Sequence, residues 1–342
     1  MAIEFKKILQ SSKFLDPTNG FMEKDFSTEF RIDPLTKDMG LVREFRWRQP
    51  EKPDLPELVA KSLERECPFC PENIDKVTPK FVADFYSDGR IKLGEATVFP
   101  NAVPYMPYTA IAVMGSKHFI ALPNFPQQTL FDALTASQTY LRKVCEYDSK
   151  ASYYYFTWNY MPPANSSQLH PHLQILASYF PLAYHQKLLD TSKQYYDENG
   201  AIFWSDFIAE EKKLQERYIA TIGNTVWLTS FVPRCLQLDV QAIFQGKESI
   251  LSLSPQDMES FAKGLVRLFK YMDDRNFYSF NMCLYSGMAD EGSFWTQARV
   301  IQRAPLPPLD ISDVSNVTLL ADTRVSIRRP ETVCQELRPY FS

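Results

Sequence analysis

This chain of 342 residues has no long run of lysine or arginine, and its formal net charge is −4. Binding to nucleic acid by neutralising many phosphates is therefore not its default chemistry. A local basic pocket for one small phosphate ligand stays open. Long hydrophobic runs are lacking too. The apolar stretch 108–114 stops at Gly115-Ser116-Lys117-His118, far short of the roughly 18 uninterrupted apolar residues of a membrane helix. The first residues, Met1-Ala2-Ile3-Glu4-Phe5-Lys6-Lys7, lack the charged-then-apolar pattern of a secretory signal. Cysteine is sparse as well. Its six copies are scattered except for Cys67 and Cys70, which fits a reducing, cytoplasmic setting rather than a disulfide scaffold. Histidine is scarcest, with four: His118, His170, His172 and His185.

What is present suits a substantial core. The 45% hydrophobic content is ordinary for a globular protein, and the length allows one large domain or two similar halves. Residues 1–66 read as an irregular, charged, proline-punctuated lead-in. Strands are expected near 80–86, 96–99 and 108–114, then a helix over 127–145 with Leu130, Phe131, Leu134, Leu141 and Val144 near helical spacing. An aromatic strand follows at 152–159, and another after His170-Pro171-His172. The second half repeats this order. Strands are expected at 225–231 and 236–244, and Ser254-Pro255 opens a helix. Further strands fall at 280–285 and 297–301. An amphipathic helix near 205–218 separates the halves. The order implies an internal duplication. In it, Gln297-Ala298-Arg299 stands where the first half has its histidine pair, so any histidine chemistry belongs to the first half. Arg299 reads equally as a phosphate contact or as one half of an internal ion pair.

The run Ser167-Gln168-Leu169-His170-Pro171-His172-Leu173-Gln174 carries the chemistry. Side chains two apart on a strand share a face, so His172 and Gln174 look into one space. A neutral imidazole attacks through one nitrogen while its other N–H is held by an acceptor such as a backbone carbonyl. Attack on an α-phosphorus splits one displacement into two, with a covalent nucleotidyl-histidine between them. Gln174 can donate to a nonbridging oxygen without acting as an acid, and Ser167 can add a hydroxyl donor. Alone, such a histidine pair reads equally as two metal ligands or two satisfied strand residues.

Cys67-Pro68-Phe69-Cys70 has the spacing with which two thiolates grip one ion. Two cysteines and two histidines would complete a closed, structural Zn²⁺ site. His170 faces away from His172 on an extended strand, so one ring can bind metal while the other faces a ligand. His118 reads as the fourth ligand or as a loop histidine; His185 reads as a surface residue.

Several motifs together resemble the galactose-1-phosphate uridylyltransferase family of the histidine-triad superfamily, over roughly residues 30–340. They are Arg31-Ile32-Asp33-Pro34-Leu35-Thr36, Arg46-Trp47-Arg48-Gln49-Pro50, Cys67-Pro68-Phe69-Cys70-Pro71, Phe99-Pro100-Asn101, and Asn159 followed by the histidine run. The resemblance implies an α+β fold of two fused histidine-triad-like halves, each a mainly antiparallel sheet with packed helices, divided near residue 195 into 1–195 and 196–342. It implies ping-pong transfer of a nucleoside monophosphate, UMP by family habit, between a nucleotide sugar and a hexose 1-phosphate. It makes His172 the nucleophile, with Gln174 stabilising the adduct and Ser167 touching phosphate. Arg46, Phe99, Asn101 and Asn159 would bind substrate, and Cys67, Cys70, His118 and His170 would hold one structural zinc ion. A homodimer is expected, with no nucleic-acid or membrane partner. Inorganic phosphate as acceptor would make the protein a phosphorylase; loss of turnover would leave a zinc-stabilised nucleotide-binding module. The chain departs from the family pattern at Asn165, where glycine is common, at Gln297-Ala298-Arg299, and in having only 11 glycines.

Overall fold

The computed structural model describes residues 3–44, 51–287, 292–305 and 311–342. Its centre is a sheet of ten strands that displays the duplication directly. The first copy comprises β4 (Ile91–Leu93), β5 (Ala96–Pro100), β6 (Tyr108–Val113), β7 (Tyr153–Tyr160) and β8 (His172–Ser178). The second comprises β9 (Tyr218–Ile222), β10 (Thr225–Thr229), β11 (Asp239–Phe244), β12 (Phe280–Tyr285) and β13 (Gln297–Gln302). The order across the sheet is β4-β5-β6-β8-β7 and then β12-β13-β11-β10-β9. Each copy therefore has the same internal strand order, and the two meet antiparallel at β7 and β12. All pairings in this sheet are antiparallel.

Each copy supplies one long helix between its third and fourth strands: α3 (Gln127–Tyr147) and α6 (Pro255–Asp274). Ser254 caps α6 with a reciprocal bond to Asp257, and Pro255 stands in the first turn. Leu130, Leu134, Leu141 and Val144 of α3 join Phe261, Leu265, Leu268 and Met272 of α6 in one core beneath the sheet. On the opposite face Leu188, Phe203, Trp204 and Phe207 pack over Val226, Leu228 and Ile243 of the second copy, and the site lies on the rest of that face.

Around this centre the structure departs from the sequence reading. Most of the lead-in is regular: β1 (Lys6–Asp16) and β2 (Met22–Ile32) form a hairpin, β3 (Met39–Val42) extends it, and α1 (Leu55–Leu63) follows. The hairpin is solvated on both faces over most of its length, so it carries no alternation to reveal it. Residues 80–86 are irregular, with a turn at 83–85; Phe81 and Phe85 pack on the Tyr140 ring of α3 instead of joining a sheet. The helix between the halves is a pair, α4 (Ala183–Asn199) and α5 (Phe203–Leu214), and Tyr218 opens a strand. The remaining elements are α2 (Pro71–Val77), α7 (Asn316–Leu320), β14 (Arg324–Ser326) and α8 (Pro330–Phe341). β14 pairs with β3, tying the C-terminal segment to the N-terminal sheet. Among the described residues no helix is long and apolar enough to cross a membrane.

Candidate active site and metal centre

The sheet face opposite α3 and α6 carries a row of side chains across six strands. In register, Phe99 lies opposite Ile111, Ile111 opposite Gln174, Gln174 opposite Thr157, Thr157 opposite Cys283, and Cys283 opposite Arg299. His172, two residues before Gln174, lies opposite Val113 on the same face.

Just before β8, His170 turns the other way. Its Nδ1 lies 3.8 Å from Cys67 Sγ and 3.7 Å from Cys70 Sγ, and His118 Nδ1 lies 3.4 Å from Cys70 Sγ. The four ligand atoms are all within 4.8 Å of one another. Local structure explains the grouping. Cys70 is the N-cap of α2, with Pro71 at the first helical position, and Asn73 Nδ2 donates to the Cys67 carbonyl at 2.9 Å.

Outer partners set both tautomers. His170 Nε2 donates to the Gly115 carbonyl at 2.7 Å. Ser62 Oγ donates to the Val59 carbonyl at 2.7 Å, so it must accept from His118 Nε2–H at 2.8 Å. Each ring therefore turns an unprotonated Nδ1 toward the sulfurs, as metal-bound histidines do. Burial pushes the Cys70 thiol up to about 12, with the Cys67 sulfur adding to the effect. Burial also holds His170 down at about 4. A cation reverses the thiol penalty and suits neutral imidazoles, so this donor set fits a metal ion.

His172 is held differently. Its Nδ1 donates to the His170 carbonyl at 2.8 Å, which leaves a lone pair on Nε2. The edge of the Phe69 ring stands 5.1 Å away, centroid to centroid. Burial holds the imidazole below its ordinary pKa, and 8% of its surface stays open. On the neighbouring strand β7, Thr157 lies opposite Gln174, and Asn159, two residues further on, shares that face; Asn159 lines a cavity of about 290 Å³ together with Thr157, Arg234, Asn281, Cys283 and Arg299.

The other residues singled out in the sequence are more dispersed. Gln174 is half-buried and accepts from the Tyr105 hydroxyl at 3.3 Å. Ser167 is exposed, on the loop behind the metal cluster, beside a cavity it shares with Lys61, Arg65 and His118. Asn165 at the head of that loop is left-handed, with φ 67°, a conformation asparagine tolerates. Phe99 is buried against Ile111 and Val113 beneath Phe69 and Ile74. Asn101 accepts from the Val103 N–H at 3.0 Å and borders a separate aromatic pocket with Phe81 and Tyr140. Arg46 lies outside the described residues. His185 is not a surface residue. It is fully buried on α4, with Nδ1 2.9 Å from the Tyr155 hydroxyl, because its helix face packs against the aromatic side chains of β7 and β12. Arg299 is internally paired, gripping Asp239 at 2.8 and 2.7 Å. The sequence reading missed Asn281, Arg303 and Arg234. None sits in a recognisable motif; only the expected strand at 280–285 placed Asn281 near the sheet.

No protein-family profile matches the chain. An uncharacterized protein of Archaeoglobus fulgidus is 28% identical over 343 residues, spanning 99% of each chain. Among solved structures, a GALT-like protein from Arabidopsis thaliana superposes with a TM-score of 0.71 at 15% identity, over 90% of this chain and 98% of that one. An ADP-glucose phosphorylase from the same plant, solved with ADP-glucose bound, gives 0.71 at 16%, over 91% and 98%. A uridylyltransferase gives 0.67 at 16%, over 91% and 97%. The architecture is thus an α+β fold of two similar halves in one chain. More narrowly, it is the fold that the GALT-like protein, the ADP-glucose phosphorylase and the uridylyltransferase share.

Proposed function

We propose that this protein transfers a nucleoside monophosphate from a nucleotide sugar through a covalent nucleotidyl-histidine at His172. The observation that carries the reading is the split between the two rings of the motif. His170 turns Nδ1 to the cysteines, while His172 spends its only N–H on the His170 carbonyl and keeps Nε2 free. In the first step the Nε2 lone pair forms a bond to the α-phosphorus. The bond from that phosphorus to the bridging oxygen breaks, and the sugar 1-phosphate leaves. In the second step an acceptor phosphate oxygen bonds to phosphorus and the Nε2–P bond breaks. Gln174, on the same face, donates to the phosphoryl oxygens, and Asn159 supplies a further donor; Ser167 opens on the cavity with Lys61, Arg65 and His118 and takes no part in this step.

Cys67, Cys70, His118 and His170 would hold zinc. Bond lengths of about 2.3 Å to sulfur and about 2.0 Å to nitrogen put the edges of a tetrahedral site near ~3.5 Å, close to the sulfur–nitrogen separations of 3.4 to 3.8 Å. A closed site of this kind supplies a structural cross-link, pinning the knuckle to the start of β8.

Two acceptors fit one intermediate. A hexose 1-phosphate makes the protein a uridylyltransferase-like enzyme, and inorganic phosphate makes it a phosphorylase; the ADP-glucose phosphorylase of the same fold supports keeping both in the test. Incubation with UDP-glucose or ADP-glucose labelled at the α-phosphate, without acceptor, should leave label on the protein, and His172→Asn should abolish it. Chasing with galactose 1-phosphate or inorganic phosphate then identifies the acceptor. Absence of label with both nucleotide sugars overturns the reading.

A further inference from the structure

The second half carries no histidine pair, yet it reaches into the first half's site through one carboxamide. Asn281 on β12 lies opposite Asn159 on β7. Its Nδ2 donates to Asn159 Oδ1 at 2.7 Å and to the Ala164 carbonyl at 2.9 Å. Its Oδ1 accepts from Arg303 Nη1 at 2.9 Å. Arg303 is gripped by Asp313 through two bonds of 2.7 and 2.9 Å. A guanidinium only donates and a backbone carbonyl only accepts. Both neighbours therefore fix, independently, which way the Asn281 amide points. Asn159 must then present its oxygen to Asn281, and its Nδ2 makes no hydrogen bond among the described residues. That amide nitrogen belongs to a side chain on the cavity wall, on the sheet face of His172: Thr157, two residues before Asn159, lies opposite Gln174, two residues after His172.

We infer that Asn281, locked by Arg303 and Asp313, is a positioning residue that turns the Asn159 amide N–H toward the phosphoryl group carried at His172. The inference rests on the nucleotidyl-transfer reading above. Its physical content is a sign. With the amide as observed, Asn159 donates to anionic phosphoryl oxygens; rotated by half a turn, it would oppose them with a carbonyl oxygen. The bond to the Ala164 carbonyl has a second effect. It fixes the turn Pro162–Ala164, which leads into Ser166 and Ser167.

Asn281→Asp tests the sign with little change of shape. An aspartate still pairs with Arg303 but cannot donate, so Asn159 must flip to give it an N–H. Two readouts are taken on the full chain. One is the single-turnover rate of labelling by α-labelled UDP-glucose and ADP-glucose. The other is the phosphate increment in binding, the affinity of UMP or AMP relative to uridine or adenosine. Asn281→Asp should slow labelling about tenfold to a hundredfold and cut the phosphate increment about tenfold. Combined with Asn159→Ala it should add nothing further, because it acts only through Asn159. A merely structural role would instead give additive losses in the double variant. Arg303→Met, outside the strand, should move both readouts the same way and serves if Asn281→Asp does not fold. Labelling that proceeds normally in Asn281→Asp, or additive losses, overturns the inference and leaves nucleotidyl transfer standing. A phosphate increment lost through Asn159 in a protein that never takes label keeps the relay and sinks the transfer reading. Absence of both label and phosphate increment in the unaltered protein sinks both.

Discussion

At the scale of single residues, the site is decided by where protons sit. His118, His170 and His172 each direct one N–H to an oxygen acceptor: Ser62 Oγ, the Gly115 carbonyl and the His170 carbonyl. The acceptor's position selects the nitrogen left bare, and so separates two rings that turn Nδ1 to the sulfurs from one that keeps Nε2 bare. Ser62 is the only side chain among these acceptors, which makes it testable. Ser62→Ala removes the acceptor for His118 without touching a metal ligand. Zinc affinity, measured by competition with a chromophoric chelator, should fall about tenfold to a hundredfold while the fold persists. Cys67→Ser, which removes a ligand, should lose the ion and lower the melting temperature. Unchanged affinity in Ser62→Ala would show that His118 is oriented by other means; unchanged zinc content in Cys67→Ser would remove the site altogether.

At the scale of elements, the close approach of α6 to the sheet depends on one glycine. A Cβ at Gly264 would stand 2.1 Å from Trp227 Cζ2 and 2.3 Å from Cε2, so α6 can lie over β10 only without a side chain there. Alanine would gain up to about 1 kcal/mol in helix propensity, but overpacking a rigid indole costs about 1–3 kcal/mol. Gly264→Ala should therefore be destabilised in urea titration, with a shift in Trp227 fluorescence; equal or greater stability would mean the helix can back away. The long elements α3, α6, β6, β7 and β12 were legible because each buries one regular face, and burial is what apolar spacing records. The hairpin β1–β2 was not, because it buries almost nothing, while Phe81 and Phe85 mimicked a strand by packing on Tyr140 from an irregular segment. The site divides in the same way. Short spacing fixes the Cys67–Cys70 knuckle and the face that His172 shares with Gln174; His118 and His170 join the knuckle from 48 and 100 residues away, and the scarcity of histidine pointed to them. Asn281 acts through contacts made across more than a hundred residues of sequence, and Gly115 acts through a carbonyl that carries no residue identity. Neither leaves a trace in local spacing.

At the scale of the whole molecule, the ends of the chain are fastened to the second half by buried charge. Arg31 of β2 donates to Glu29 at 2.6 Å, to Glu331 at 2.9 Å and to the Phe231 carbonyl at 3.2 Å. Arg217, before β9, donates to Glu211 at 2.8 Å and to Glu331 at 3.0 Å. Both guanidiniums are fully buried and lie against the Phe231 ring. Glu331, at the first turn of α8, thus bridges an N-terminal strand and the second half, with Lys7 also within 3.2 Å. Burial alone would push its carboxyl up. The bonds and charge of Arg31, helped by Lys7, outweigh that and hold it at about 2, against an ordinary 4.5. A carboxyl depressed on folding stabilises the native state above its unfolded pKa, and that contribution is lost as pH falls toward the folded value. The shift corresponds to about 3 kcal/mol, similar to the cost of breaking a buried pair by removing one partner. Glu331→Gln should therefore unfold at lower urea than the parent at pH 7, by about that amount. The gap should narrow steadily between pH 4.5 and pH 2, where the parent loses the same charge. A gap that stays constant with pH would show that Glu331 contributes packing rather than charge, and that the N-terminal sheet is held to the second half by its apolar contacts.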